Sequence, residues 1–302
     1  MLIILLFFSL NIIKHYIFIY LLGPVQDARQ FARRAFNGAE RVVSVDPGRN
    51  PLVSGVVHNQ TAMANLLNRD QVNEPHETLQ VSKKEFYHNA GYNYRISKTN
   101  LWMSQSLEII EFNDLAITAK TSDLGAYCHH AHQVLAVLLK RMAFFSTKRF
   151  KRLRWKTFIK KQQAYEKIVA KLKGGVNNTL VVWGDAKFSP TGRGSPAVPT
   201  KTLRKKVGER LKVIDQDEYR TSTLSCCCHT QLSGFRIDGH RSYHVRVCPN
   251  AQCPRYVWDR NTSAAINILY LFINYNVDMI ETPAAFRRGG HAQDPLDIDM
   301  DE

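Results

Sequence analysis

The cysteines are the residues of this sequence whose type and spacing most clearly suggest a metal site. Five of the six cysteines lie between Cys226 and Cys253, in two groups separated by about twenty residues. Two close thiol groups on either side of a hairpin-length insert are typical of a zinc ribbon, in which four ligands surround one structural Zn²⁺. We expect these ligands to be Cys226, Cys228, Cys248 and Cys253. The first group is irregular, because a two-residue gap before Cys228 falls on Ser225, a poor zinc ligand. His229 is a spare ligand, and ordinary buried thiols are the alternative.

Acidic residues form a second set of candidates around these thiols. Asp46 ends a short β-branched stretch, Glu218 precedes the first thiol group, and Asp259 follows the second. Carboxylates from a first strand, a later strand and a closing helix can converge on two divalent cations, which activate a water in phosphodiester hydrolysis. The sequence therefore indicates a candidate site for Mg²⁺ or Mn²⁺, with ordinary exposed surface charges as the alternative.

A third candidate is a strongly basic stretch. Between Lys140 and Lys173 there are thirteen Lys or Arg residues and one acid, Glu166. A solvated helix face usually mixes both signs, whereas a basic helix interleaved with aromatic residues is suited to phosphates and bases. We expect contact with DNA or RNA from Lys148, Arg149, Lys151, Arg152, Arg154, Lys156, Lys160 and Lys161. The same stretch resembles a nuclear import signal, so we expect a nuclear protein in a eukaryote and a cytoplasmic one otherwise.

Alternating strands and helices must position these residues. The stretch ending at Asp46 is followed by a turn and by a second strand within residues 51–58, which predicts a hairpin. Residues 180–183 predict another buried strand, helical periodicity begins at Ala131, and residues 262–272 predict a closing helix. Such alternation is typical of an α/β fold.

The composition excludes several classes of protein. Apolar residues are 44% and charged residues 22% of the 302, which rules out global disorder. The net charge of +15 and the isoelectric point near 9.6 indicate a polyanionic partner, either nucleic acid or an anionic membrane surface. Because the thiols are clustered, the sequence favours a reducing compartment over a secreted, disulfide-linked scaffold.

The N-terminal segment points in another direction. Residues 1–22 are almost wholly apolar and long enough to span a bilayer, with one charge at Lys14. They lack the basic start and the cleavage site of a signal peptide. A membrane anchor, a buried apolar segment and a mis-called start are all open interpretations. The last is favoured, because zinc-type cysteines and a nucleic-acid charge balance fit an anchor badly.

Together these motifs resemble the TnpB/Fanzor family of transposon-encoded, RNA-guided DNA endonucleases. In the family's order, the matching segments are Val45-Asp46-Pro47-Gly48, Val182-Trp183-Gly184-Asp185, Asp217-Glu218-Tyr219-Arg220-Thr221-Ser222, the Cys248-x4-Cys253 pair and Asp259-Arg260-Asn261 through Asn267-Ile268. The resemblance covers residues 42–271 and implies an RNase H-like (RuvC-type) core of the α/β class with a small inserted zinc ribbon. It also implies DNA and a guide RNA as partners. The family's Asp-Glu-Asp triad with two Mg²⁺ would have Asp46 and Glu218 as its first two members.

Two departures from the family pattern bear on activity. The third acidic position, directly after Arg260, holds Asn261, whose amide oxygen lacks the charge that hard cations favour. Asp259 is a weaker candidate, since helix residues two apart point to different faces. Only about forty residues precede the first motif, where family members carry a recognition region. We therefore expect a shortened copy with a weakened nuclease, and the alternative is a zinc-ribbon DNA- or RNA-binding protein without catalysis.

The sequence predicts three parts. Residues 1–35 form the apolar segment, and residues 36–272 form the RuvC-like domain, with the ribbon inserted at about 222–258. Residues 273–302 form an acidic tail that we expect to be disordered.

Overall fold

The structure is a computed structural model that describes residues 28–59, 77–106, 109, 120–186, 188, 198–237, 240–254, 256–278 and 280–288. It has two compact units, of which Ser82–Ile168 forms one and the described residues on either side form the other. The apolar residues 1–22 lie outside the described part of the chain. The predicted three-part organisation stays a prediction.

Helices and strands alternate along much of the chain. In order they are α1 (Ala28–Asn37), β1 (Arg41–Pro47), β2 (Val53–Asn59), β3 (Glu77–Val81), α2 (Lys83–Asn89), α3 (Tyr92–Ser104), α4 (Leu124–Phe145), α5 (Lys148–Lys173), β4 (Thr179–Gly184), α6 (Thr200–Gly208), β5 (Lys212–Gln216), β6 (Ser233–Ile237), β7 (His240–Val247), β8 (Val257–Asp259) and α7 (Arg260–Phe272).

The first unit is built on a five-stranded mixed sheet with the order β3-β2-β1-β4-β5. The predicted hairpin is present, since β1 and β2 pair antiparallel, with Asp46 opposite Ser54. β1, β4 and β5 are mutually parallel, with β4 in the middle. The β-branched stretches of β1 and β4 are buried, as parallel strands covered on both faces require. This topology fits the predicted RNase H-like core of the α/β class.

Helix α7 closes the sheet and is buried over most of its circumference. Ile268, Leu269 and Phe272 form a core cluster with Val42 of β1 and Leu180 of β4. The buried amide of Asn267 on the same helix donates to the carbonyl oxygens of two residues in the segment that follows β5, Thr221 at 2.8 Å and Leu224 at 2.9 Å. These bonds fix that segment against α7.

Ordered secondary structure continues after α7 ends at Phe272. A π-helical turn, Ile273–Val277, continues α7, and a 3₁₀ turn follows at Ala284–Phe286. Phe286 is buried against Leu224 and Leu271, so hydrophobic burial holds this segment. The acidic residues from Asp294 onward lie outside the described part of the chain.

A small antiparallel sheet with the order β6-β7-β8 lies where the insert was predicted. Its buried Trp258 packs in a cluster with Leu232, Cys248 and Val56 of the main sheet. Hydrophobic contact therefore ties the insert to the core.

The second unit is helical. α4 begins at Leu124, where the Asp123 carboxylate accepts hydrogen bonds from the backbone N–H groups of Gly125 and Ala126. This start precedes the predicted one at Ala131, because the polar residues 128–130 interrupt the apolar periodicity. No helix in the described ranges combines the length and apolarity needed to cross a membrane.

Candidate metal-dependent active site

The carboxyl ends of the parallel strands bring two predicted acids together. Asp46 lies near the end of β1. The residue before it, Val45, pairs with Trp183 of the parallel strand β4. Glu218 follows β5 by two residues. Both acids line one cavity of about 460 Å³. Because the ends of parallel strands meet at one edge of a sheet, two acids far apart in sequence share this cavity.

Gly184 at the end of β4 makes room for the second acid. A Cβ atom at this position would collide with Oε2 of Glu218 and press on Pro47 and Ile268. The glycine therefore allows the Glu218 carboxylate to lie against the β4 backbone. Any side chain larger than hydrogen would displace it.

Asp185 positions Glu218 from the other side. Its backbone N–H donates to the carbonyl oxygen of Gln216 at 3.0 Å, which continues the pairing of β4 with β5. Its carboxylate accepts a hydrogen bond from the backbone N–H of Glu218 at 3.4 Å. The sequence interpretation did not assign Asp185 to the site, although the Gly184-Asp185 pair after a buried strand was a signal for it.

Burial dominates the electrostatics of the two acids. It raises the pKa of Asp46 to about 6, opposed by the charge of Arg260 and reinforced by that of Asp259. Burial also raises the pKa of Glu218 to about 8, and the charges of Asp46 and Asp185 add to the increase. Within the described part of the chain, Oε2 of Glu218 is buried without a hydrogen-bond partner. Two carboxyl groups that are costly to ionise together form a site that a divalent cation would stabilise.

Asn261 faces the same cavity from the start of α7. It is 6% exposed and lines the cavity beside Arg260. Among the described residues, none makes a hydrogen bond with its side-chain amide. The structure thus brings Asp46, Glu218 and Asn261 together, with a neutral amide at the third position.

Asp259, the weaker candidate for the third ligand, does not line the cavity. It is the N-cap of α7, and its Oδ1 accepts hydrogen bonds from the backbone N–H and the hydroxyl of Thr262, both at 2.8 Å. Its charge reaches Asp46, but its oxygen is used in capping the helix.

Basic and aromatic residues that the sequence interpretation did not single out complete the cavity. The Arg260 guanidinium lies 4.7 Å above the Tyr243 ring and donates to Oγ of Ser222 at 3.1 Å. Arg49 and His244 line the same cavity. Cations beside a pair of carboxylates can bind a phosphodiester. No sequence pattern indicated that β7 contributes to the cavity, because β7 lies far from Asp46 in the sequence.

The thiols form a separate group in the described part of the chain. Sulfur atoms of Cys228, Cys248 and Cys253 lie within 4.8 Å of one another, which fits a metal ion such as zinc. Ser225 Oγ lies 3.6 Å from the Cys253 sulfur. The structure therefore brings together three of the four predicted thiols and adds a hydroxyl.

Cys226 lies outside this group. Its buried thiol interacts with Cys227 and Ser263 instead. A tight turn closes here, because the N–H of His229 donates to the carbonyl oxygen of Ser225. Within it the side chains of Ser225 and Cys228 are hydrogen-bonded, so these two residues lie on the same side. The His229 ring packs between Tyr270 and Phe286, away from the thiols.

Comparisons with known proteins place the fold. The sequence matches no family model and no curated protein. Among solved structures, the chain is similar to the mini-RNA-guided endonuclease CRISPR-Cas_phi3, with a TM-score of 0.50 and 13% sequence identity. The chain shares a fold with an RNA-guided endonuclease. The likeness covers 81% of this chain and 46% of that one, so the chain spans about half the length of the solved structure.

The predicted basic residues lie on α5 of the helical unit. Six are exposed and Lys160 and Lys161 are half-buried. The guanidinium of Arg149 lies 4.7 Å from the Phe144 ring and close to the rings of Trp102 and Phe150, which gives it a packing role as well. Lys156 and Lys160 lie 4.8 and 5.7 Å from the Tyr94 ring. No residue in the described ranges forms an ion pair with Lys148, Lys151 or Arg152.

Proposed function

We propose that the chain is a transposon-derived protein of the TnpB/Fanzor type, whose RuvC-like domain is a divalent-metal-dependent DNA endonuclease weakened at its third ligand. The observation that carries the proposal is the pairing of Asp46 with Glu218 at the carboxyl edge of an RNase H-like sheet, with Asn261 facing the same cavity. The endonuclease fold supports the reaction class. By the family resemblance, the target is DNA selected by a guide RNA.

Asp46 and Glu218 are the residues that would hold Mg²⁺ or Mn²⁺, with the amide oxygen of Asn261 as a third, uncharged ligand. A bound divalent cation supplies Lewis acidity, activating water and stabilising the leaving oxygen. Ionised carboxylates are needed to bind it, and the raised pKa values of Asp46 and Glu218 predict weak loading at acid pH. Arg260 binds a non-bridging phosphate oxygen, while its bond to Ser222 fixes the guanidinium.

The thiol group supports a structural zinc ion. Cys228, Cys248 and Cys253 would be its ligands, and Ser225 is nearest to the fourth position. A zinc ion there would brace the three-stranded sheet, which carries Tyr243 and His244 to the cavity. In this proposal the ribbon is a structural support and takes no part in the chemical step.

A second candidate function is nucleic-acid binding without cleavage. Asn261 favours it, because an amide at the third position removes one negative charge from the site. The exposed cations of α5 would be retained in either case.

Cleavage of labelled single-stranded DNA by the full chain in Mn²⁺ tests the first candidate. We expect slow cleavage that Asp46→Asn abolishes. The matched control is Asp215→Asn, an acid of β5 that pairs with Arg204 on the surface at 2.6 Å and should leave the rate unchanged. If the chain does not cleave but Asn261→Asp does, the second candidate is correct.

A further inference from the structure

The exposed face of α5 carries an aromatic pair that the nuclease site does not use. The rings of Trp155 and Phe158 are stacked, with centroids 5.5 Å apart and an interplanar angle of 19°. Trp155 is 63% exposed and Phe158 is 52% exposed. Large apolar rings usually lie in the core, so an exposed stacked pair indicates a binding surface.

Packing among the described residues of the helical unit does not account for this pair. α5 buries its opposite face through Phe150, Leu153, Thr157 and Tyr165, which recur at helical spacing. Phe150 and Tyr165 contact other rings of the unit, those of Trp102 and Phe86. The aromatic residues of α5 thus divide into an inward set and an outward pair.

Cations surround the outward pair. Lys151 and Arg152 lie one turn before Trp155 on the same face, and both are exposed. Lys156, also exposed, adjoins Trp155 along the helix. A planar apolar platform bordered by positive charge is complementary to a nucleic-acid strand whose phosphates meet the cations while a base covers the ring.

We propose that Trp155 and Phe158 form a stacking platform for an unpaired base of single-stranded nucleic acid. Lys151 and Arg152 hold the adjoining phosphates. Bases inside a duplex are covered by their neighbours, so the platform selects single strands or strand ends. This inference rests on the proposed nucleic-acid-binding function and assigns a site and a strand type to it.

The test measures binding of the full chain, without Mg²⁺ or Mn²⁺, to a labelled single-stranded oligonucleotide and to an abasic strand of the same length. Trp155→Ala should weaken binding of the base-bearing strand by about 5- to 150-fold and leave the abasic strand unchanged. The slope of affinity against salt should stay the same, because no phosphate contact is lost.

Two further variants separate stacking from folding. Trp155→Phe keeps a ring and should retain most of the affinity. Phe158→Ala should lower the affinity for the base-bearing strand, as Trp155→Ala does. The matched control is Ile159→Ala, which removes another exposed apolar side chain, 39% exposed, from the same face and should have no effect.

Tryptophan fluorescence gives an independent measurement. Of the four tryptophans, Trp183 and Trp258 are buried and Trp102 is half-buried, so base quenching should come mainly from Trp155. Quenching that persists in Trp155→Phe would contradict the proposal.

Three results would overturn the platform. Trp155→Ala could lose equal affinity for the base-bearing and the abasic strand, it could lose no affinity at all, or the unmodified chain could fail to bind either strand. Self-association of the full chain that Trp155→Ala abolishes, with oligonucleotide binding unchanged, would also overturn it by assigning the pair to a protein contact. The assay contains no catalytic metal, so failure of the Asp46–Glu218 site leaves its outcome unaffected.

Discussion

The cavity at the sheet edge and the thiol group differ from their expected patterns in the same way. In the proposed function each is a metal site in which one uncharged oxygen stands in place of an ionisable ligand. At the cavity, Asn261 occupies the position for which the family resemblance implies an acid; it is buried and lines the cavity with Asp46 and Glu218. At the thiols, Ser225 stands beside Cys253 where a fourth thiol was expected.

The consequences of the two replacements differ. Zinc bound by three thiolates still has three strong ligands, and a hydroxyl or water can complete the tetrahedron. Mg²⁺ and Mn²⁺ depend on negatively charged oxygens, so one lost carboxylate is a larger fraction of the attraction. If the proposed function is correct, the two replacements should leave the structural metal bound while they weaken binding of the catalytic metal.

Removing a thiol from the group should have the largest effect. Cys248→Ser should reduce the zinc content from about one ion per chain to almost none, and thermal unfolding should occur at a lower temperature. The reason is that structural zinc contributes folding free energy, roughly 10–16 kcal/mol in isolated zinc-finger peptides. Elemental analysis together with a melting curve measures both effects.

The controls for this prediction test which thiols belong to the group. Cys226→Ser should retain zinc, because the Cys226 thiol interacts with Cys227 and Ser263 instead. The exposed Cys128→Ser should change nothing. Loss of zinc from Cys226→Ser as complete as that from Cys248→Ser would restore the original ligand prediction.

A side chain at position 184 should weaken metal binding in the cavity without affecting zinc binding by the thiols. In Gly184→Ala, the Cβ displaces the Glu218 carboxylate, so Mn²⁺ affinity should fall by about 10- to 100-fold while zinc content stays constant. Gly125→Ala is a matched control, because a Cβ there meets the Asp123 carboxylate only at 3.5 Å, an ordinary contact. Unchanged Mn²⁺ binding in Gly184→Ala would show that Glu218 is not a ligand.

The two carboxyl groups should make metal-free stability depend on pH. Burial raises the pKa of Glu218 from its ordinary value of about 4.5 to about 8, so between these pH values the folded chain retains a proton that the unfolded chain has lost. Stability should therefore fall as the pH rises through this window, by a few kcal/mol in order of magnitude. Urea unfolding at several pH values measures the trend.

Glu218→Gln isolates this contribution. The variant should match the unmodified chain near pH 4.5 and exceed its stability near pH 8, where the buried charge costs most. Saturating Mg²⁺ should reduce the difference by stabilising the ionised pair. A Glu218→Gln variant that is less stable at pH 8 would contradict the account of Glu218.

The smallest effect is expected from completing the thiol group. Ser225→Cys adds a fourth thiolate beside Cys253 and should slow the release of zinc to a chelator. Ser104→Cys, in the helical unit, is the matched control and should leave the release unchanged. If Ser225→Cys releases zinc at the original rate, the hydroxyl does not lie at the fourth position.

Local patterns predicted much of the sheet. The β-branched stretch before Asp46 and the apolar residues 180–183 correspond to β1 and β4, since short β-branched runs followed by Gly or Pro favour buried strands. The meeting of Asp46 with Arg260 and His244 depends on long-range packing, which no local pattern contains. The start of α4 at Leu124 was missed because the polar residues 128–130 interrupt the apolar pattern of its first turns.

At the thiols, spacing alone did not distinguish Cys226 from Ser225. Chemistry favoured the cysteine, whereas the side chains of Ser225 and Cys228, hydrogen-bonded within the turn, lie on one side. The chemical preference of a metal and the geometry of the turn conflict there, and geometry decides. At the cavity, the order of the motifs led us to expect Asn261 beside Asp46 and Glu218, and all three line the same cavity, while the role of Asn261 stays a prediction.

A calorimetric titration of the full chain with Mn²⁺, beside Asn261→Asp, tests the central claim that the amide weakens an otherwise intact site. We predict weak binding by the unmodified chain and binding about tenfold tighter by Asn261→Asp. Asn100→Asp, an exposed position on α3, adds the same charge elsewhere and should not change the affinity. Equally tight binding by the unmodified chain and Asn261→Asp would contradict the claim.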